Sequence, residues 1–178
     1  MQCYKGSPSN LEERLDKERR CYELLDHLGL EYDRVDHEPA ETMEACLEIE
    51  KVLGSHICKN LFLCNRQQTS FYLLLMPGNK PFRTSDFSKL IGTSRLSFGS
   101  AEHMERLLDI TPGSVSILGL MNDQNCEIKL AVDKDLLADE YFGCHPCINT
   151  SSLRLRTKDV FGPLLEAMGH TVTVVEGL

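Results

Sequence analysis

The sequence predicts a single α/β domain, a mixed β-sheet surrounded by helices. Three observations carry this reading. The chain has 178 residues, enough for one sizeable core and little more. Stretches with helical spacing of apolar residues interleave with short apolar runs of strand length, without the strict alternation of a parallel βαβ sheet. No internal repeat, low-complexity tract or Pro/Gly-rich linker divides the chain. Residues 1–8 are expected to form a loose leader and residues 9–178 the domain.

The elements follow in order. Ser9 with Glu12 fits a capping box, each side chain satisfying a free backbone N–H near the helix start. Leu11, Leu15, Tyr22, Leu25 and Leu28 then recur at helical spacing until Gly29, which supplies a stop. A strand is expected at 31–36 and a short helix from Thr42 to Lys51. Two apolar runs, Asn60–Cys64 and Phe71–Met76, flank the polar break at 65–70 and predict a buried hairpin. Residues 84–91 predict a helix stopped by Gly92, and 95–98 a strand. Ser100 is placed to cap a helix reaching Leu108, and 111–120 reads as a turn followed by a strand. Strands are expected at 127–132 and 152–156, then a helix capped by Thr157 and ended by Gly169, and a final strand at 171–175.

Hydrophobic residues make up 42%, too many for a disordered chain, and no apolar run approaches the length of a bilayer span. The polar start Met1-Gln2-Cys3-Tyr4-Lys5-Gly6 lacks the apolar stretch of a signal peptide, so a cytoplasmic protein without a membrane partner is expected. In a reducing compartment most of the 8 cysteines read as small buried hydrophobes. Net charge is −8, yet it is unevenly spread. Residues 51–100 hold 7 basic side chains against the single acid Asp86, whereas both flanking regions are acidic. A local positive patch suffices to hold the end of a nucleic acid, because screening silences charges beyond about 10 Å. Lys80, Arg83 and Lys89 are the candidates for such a face; scattered solvated cations are the plainer alternative.

Four segments bear on chemistry. In Cys58-Lys59-Asn60 a lysine stands at the mouth of an apolar strand, a costly place for a charge unless an anion meets it. It would hold a phosphate or steer a carbonyl; taken alone, it also reads as a lysine whose ammonium snorkels to solvent. In Thr111-Pro112-Gly113-Ser114-Val115-Ser116 the glycine permits a turn that exposes backbone N–H groups, suited to an oxyanion or a ribose. His145, fixed by Pro146 and followed by Asn149 and Thr150, would hydrogen-bond a polar ligand, or simply its own backbone neighbours. Cys144 and Cys147 have no second pair at zinc-site spacing and no helix N-terminus to lower a thiol pKa, so neither a metal nor a redox role is expected. No Gly-x-Ser-x-Gly elbow, Walker loop or dinucleotide fingerprint occurs, and no cofactor is expected.

Taken together, Lys59-Asn60-Leu61-Phe62-Leu63, Phe71-Tyr72-Leu73, Arg95-Leu96-Ser97-Phe98, Thr111–Ser116 and His145-Pro146-x-x-Asn149-Thr150 occur in the order seen in one family. From about residue 20 onward the chain resembles the YbaK/ProX family of free-standing prolyl-tRNA editing proteins, which are similar to the editing insertion of bacterial prolyl-tRNA synthetases. The resemblance implies an editing-domain fold and hydrolysis of the ester joining alanine to the terminal adenosine of proline tRNA. Its partners would be the tRNA acceptor end and prolyl-tRNA synthetase, with no DNA. It implies that Lys59 contacts the terminal phosphate or ribose and that Gly113 offers N–H groups beside the scissile carbonyl. His145 would line the amino-acid pocket; Asn60, Ser114, Ser116, Asn149 and Thr150 would orient the substrate. One departure stands out: the family's Gly-x-x-x-Pro loop ends here in Ile117, which puts the loop's rigidity in question and keeps a non-catalytic binding module of the same fold as an alternative.

A missing triad is no obstacle. An aminoacyl ester is already activated, and its neighbouring ribose hydroxyl helps position water. The protein needs mainly to orient the ester and stabilise developing charge. Selectivity would be steric, because a pocket sized for a methyl group excludes a pyrrolidine ring.

Overall fold

The computed structural model describes residues 1–178. Its strands form two sheets where the sequence reading expected one. The first is antiparallel, in the order β1 (Cys3–Lys5), β2 (Tyr32–Asp36), β8 (Ser151–Arg156), β7 (Tyr141–Cys144). The second is mixed, in the order β5 (Ser97–Phe98), β3 (Lys59–Cys64), β4 (Phe71–Met76), β6 (Ile128–Asp133), β9 (Val172–Val175). The β3–β4 hairpin is antiparallel, with Lys59 opposite Met76 and Cys64 opposite Phe71, while β4, β6 and β9 run parallel. Apolar throughout, β4 is covered on both faces, as a strand at the centre of such a sheet must be. A single parallel bridge, Ile57 to Gly143, joins the two sheets.

The main core fills the space between the sheets, with Tyr22 and Leu25 of helix α1 (Asp16–His27) packed alongside Phe62, Leu73, Leu108, Leu153 and Leu155. A smaller core lies on the outer face of the mixed sheet, where Phe87 of α3 (Thr84–Leu90) covers Leu63, Leu74 and Met76. Helix α2 (Met43–Leu53) begins where Thr42 Oγ1 accepts the Ala45 N–H and stops at left-handed Gly54. Helix α4 (Ala101–Leu108) is capped by Ser100 as expected.

Four departures from the sequence reading have identifiable causes. Residues 3–5 pair with β2 instead of forming a loose leader, and Arg34 holds the segment by donating to the Gly6 carbonyl at 2.6 Å. The first helix starts at Asp16, not after a Ser9 cap, because Arg14 and Leu15 are extended and the Arg14 guanidinium is drawn to Glu18 at 2.9 Å and Asp36 at 3.0 Å. Residues 117–122 form a 3₁₀ turn rather than a strand, started by the Ser116 hydroxyl accepting the Leu118 N–H. Thr157 caps nothing, its hydroxyl being buried without a partner. The helical segment it opens is bent at Gly162-Pro163, where proline supplies no N–H. The sequence reading also missed β7 and a short helix, α5 (Lys134–Leu137), capped by Asp133.

Candidate functional site

The seam between the sheets gathers three segments that are far apart in sequence. Ile57 bridges to Gly143, and the Cys58 N–H donates to the Gly143 carbonyl at 3.4 Å. Lys59 and Asn60 follow directly on one side of this junction, and Cys144 and His145 on the other. The Ser116 hydroxyl is near enough to the Cys144 thiol to oppose the rise of its pKa, which puts the end of the Gly113 loop beside the same junction. There is room for the junction only because residue 143 is glycine: a Cβ there would lie 2.3 Å from the His56 carbonyl oxygen.

Lys59 is half-buried, and its ammonium donates to the Lys80 carbonyl. An ammonium has three N–H donors, so two remain for another partner. Asn60 donates to the Cys58 carbonyl at 3.0 Å, while its side-chain oxygen is buried with no hydrogen-bond partner. Such an acceptor is costly to leave unmet.

His145 is oriented from below. Its Nδ1 lies 2.9 Å from the Ser151 carbonyl, so the neutral ring carries its proton there and presents Nε2 as an acceptor. Burial pushes its pKa below the usual histidine value of 6.5, the charge of His37 adds to this, and the Ser151 bond opposes it. Because the native value is lowered, the neutral ring's contribution to stability is complete above about pH 6.5 and is lost as pH falls through the native value. Denaturation of wild type and His145→Gln across pH 8 to 5 should therefore converge on the acid side as wild type loses its advantage. Parallel curves would show that His145 is not held neutral by the fold.

Sequence reasoning missed His37, whose ring centroid lies 6.3 Å from that of His145. Its Nδ1 donates to the Glu38 carbonyl at 2.8 Å, so its Nε2 accepts the Ser152 hydroxyl, also at 2.8 Å. That hydroxyl is 3.4 Å from His145 Nδ1. The pairing of β2 with β8, Asp36 opposite Ser151, brings His37 here, a relation no local motif announces. Asp36 anchors it: burial would raise this carboxyl, but hydrogen bonds from Arg14 and Ser151 and the charge of Arg34 hold it below its usual value.

Gly113 is exposed with φ +93°, and neither its N–H nor that of Val115 donates to a protein acceptor. Ser114 and Ser116 are buried, Asn149 is half-buried and Thr150 is exposed, its carbonyl accepting the His37 N–H at 2.9 Å. Ile117, in place of the proline expected there, is fully buried in the core. Together with the Ser116 cap it fixes the loop by other means. Cys144 and Cys147 are packing groups: burial pushes the Cys144 thiol well up, and Cys147 lies 3.5 Å from the Cys21 sulfur.

Of the basic side chains assigned to one face, Lys80 is not a free cation. Its ammonium lies 2.8 Å from Asp133 and 2.7 Å from Asp135. Arg83 and Lys89 are exposed and pair with no carboxylate. Every arginine outside residues 51–100 has a carboxylate within 4.0 Å, whereas Arg66, Arg83 and Arg95 have none. Two clefts, of about 430 and 470 Å³, lie elsewhere, beside Tyr32 and Arg154 and beside Leu137 and Phe161. Neither includes a residue of the seam.

The family model described as an aminoacyl-tRNA editing domain matches residues 37–161. The chain is 28% identical over 162 residues to the prolyl-tRNA editing protein ProX of Acetoanaerobium sticklandii, covering 91% of this chain and 98% of that protein. It is 23% identical over 163 residues to the prolyl-tRNA synthetase associated domain-containing protein 1 of Danio rerio, covering 90% and 88%. A crystal structure proposed to be that of a trans-editing enzyme for prolyl tRNA synthetase superposes with a TM-score of 0.65 at 19% identity, over 93% of this chain and all of the other.

Proposed function

Because the chain belongs to the aminoacyl-tRNA editing domain family, we propose that it is a trans-editing hydrolase that deacylates proline tRNA mischarged with alanine. It is an aminoacyl-tRNA deacylase of the cytoplasm, and its substrate is the acceptor end presented after release from prolyl-tRNA synthetase. No helix is long and apolar enough to cross a membrane. The observation that supports the reading is the seam, where the Ile57–Gly143 bridge brings the backbone of Cys58–Asn60 beside that of Cys144–His145 and Ser116 lies near Cys144.

The reaction breaks the ester between the alanyl carbonyl and the terminal ribose oxygen, with water as nucleophile and the ribose hydroxyl as leaving group. Lys59 holds the terminal phosphate or ribose with the two N–H donors not given to Lys80. The free N–H groups of Gly113 and Val115 stabilise the oxyanion that develops as water adds. His145 Nε2 accepts from the substrate's amino group, and Asn60 helps orient the substrate. Ser114, Ser116, Asn149 and Thr150 shape the rest of the pocket. Buried Cys58, its thiol pushed up to about 12, takes no part.

A panel of alanyl-, cysteinyl-, seryl- and prolyl-tRNA with purified protein tests this. Alanyl-tRNA should be cleaved fastest and prolyl-tRNA spared, because a site sized for a methyl group rejects the ring. Tight binding without turnover of any of the four would instead establish the binding module.

A further inference from the structure

On the outer face of the mixed sheet, Lys59, Leu61 and Leu63 share one side of β3, because alternate residues of a strand do. Phe98 of β5 is paired directly with Leu63, so it stands on that same face, roughly 13 Å along the strand from Lys59 at about 3.3 Å per residue. The segment 77–83 runs between the two points. Its Lys80 carbonyl accepts from Lys59, and its Phe82 ring lies 6.1 Å from Phe98 in an edge-to-face arrangement. Phe98 is 60% exposed, unusual for a phenylalanine, and β5 is an edge strand of only two residues. Arg83 follows Phe82 in the chain, Arg95 precedes Phe98 by three residues, and both are exposed without a carboxylate partner. An open aromatic face flanked by uncompensated guanidinium groups is the combination that single-stranded nucleic acid recognises, bases on the ring and phosphates on the cations.

We propose that Phe98, supported by Phe82 and flanked by Arg83 and Arg95, is a stacking platform for the unpaired nucleotides leading to the terminal adenosine of tRNA. This rests on the editing reading above, and it assigns a grip on the RNA separate from the chemistry at the seam. The spacing suits it, since a base on Phe98 leaves one or two nucleotides to reach Lys59.

The test compares proline tRNA transcripts, one intact and one trimmed of all its unpaired 3′ nucleotides, binding to wild type, Phe98→Ala and Phe98→Trp. Phe98→Ala should weaken binding of the intact RNA roughly 5- to 100-fold, the range for one base stacked on an aromatic ring. It should leave the trimmed RNA unaffected, and Phe98→Trp should bind like wild type. Unchanged binding by Phe98→Ala, or an equal loss on both RNAs, overturns the platform. So does sedimentation showing that Phe98→Ala merely separates a dimer, which would make this face a contact between copies. Turnover of alanyl-tRNA by wild type is measured alongside. If wild type turns over and Phe98→Ala binds normally, only the platform fails; if wild type does not turn over, the editing reading fails.

Discussion

Lys59→Ala is expected to lower single-turnover deacylation of alanyl-tRNA by about 10²-fold or more, the usual loss when one electrostatic or positioning group is removed. The fold should survive with little change in melting temperature. The ammonium is half-buried and makes one hydrogen bond, to the Lys80 carbonyl, an oxygen that solvent can satisfy once the side chain is gone. Lys59→Arg should recover only part of the rate, because a planar fork cannot place a compact charge where an ammonium sat. A purely structural lysine makes the opposite pattern. If its role is to brace the segment 77–83 through Lys80, activity stays near wild type and stability falls. Measuring both on one preparation separates the two, and near-normal turnover would remove the central residue of the mechanism.

Gly143→Ala should destabilise the protein by about 3 kcal/mol, the upper range for forcing an added methyl into a packed interior. In a chain of this size that is roughly 6–12 °C in melting temperature. The added Cβ would meet the His56 carbonyl oxygen at 2.3 Å, the His56 carbonyl carbon at 3.0 Å and Ile57 Cα at 3.2 Å. All three are backbone atoms, so no side chain can swing aside and the seam itself must open. Since His145 is two residues away, turnover per folded molecule should drop as well. Gly113→Ala is the informative contrast. Nothing lies within 4 Å of its added Cβ, so only the left-handed backbone at φ +93° resists, at a cost of about 1–2 kcal/mol. If Gly143→Ala melts with wild type, the seam is not the close junction described.

What could be read from the sequence was what is written locally. Thr42 and Gly54 bracket a helix whose ends are set by their own backbone angles, and the 59–76 hairpin is coded by two apolar runs and a polar break. Lys59, Gly113 and His145 were legible as motifs. The missing features depend on distant partners. Strand β1 exists because Tyr4 finds Arg34, and helix α1 starts late because Arg14 finds Asp36. His37 acquires its place through Ser152, 115 residues away, and Lys80 loses its free charge to Asp133, 53 residues away. Motif order conveyed the family; it could not convey which charges the fold would cancel.

That cancellation shapes how the molecule is approached. The chain carries −8 overall, so a polyanion drifting toward most of its surface meets repulsion. Arg83, Lys89 and Arg95 are exposed and uncompensated, a local exception to that balance. If this face receives the tRNA as proposed, an RNA would be turned away from wrong faces before contact and the encounters that persist would arrive already oriented. Within a screening length of about 8 Å at physiological salt, this works as a rotational filter rather than as a source of affinity. An acidic protein can in this way be a selective host for an acidic guest.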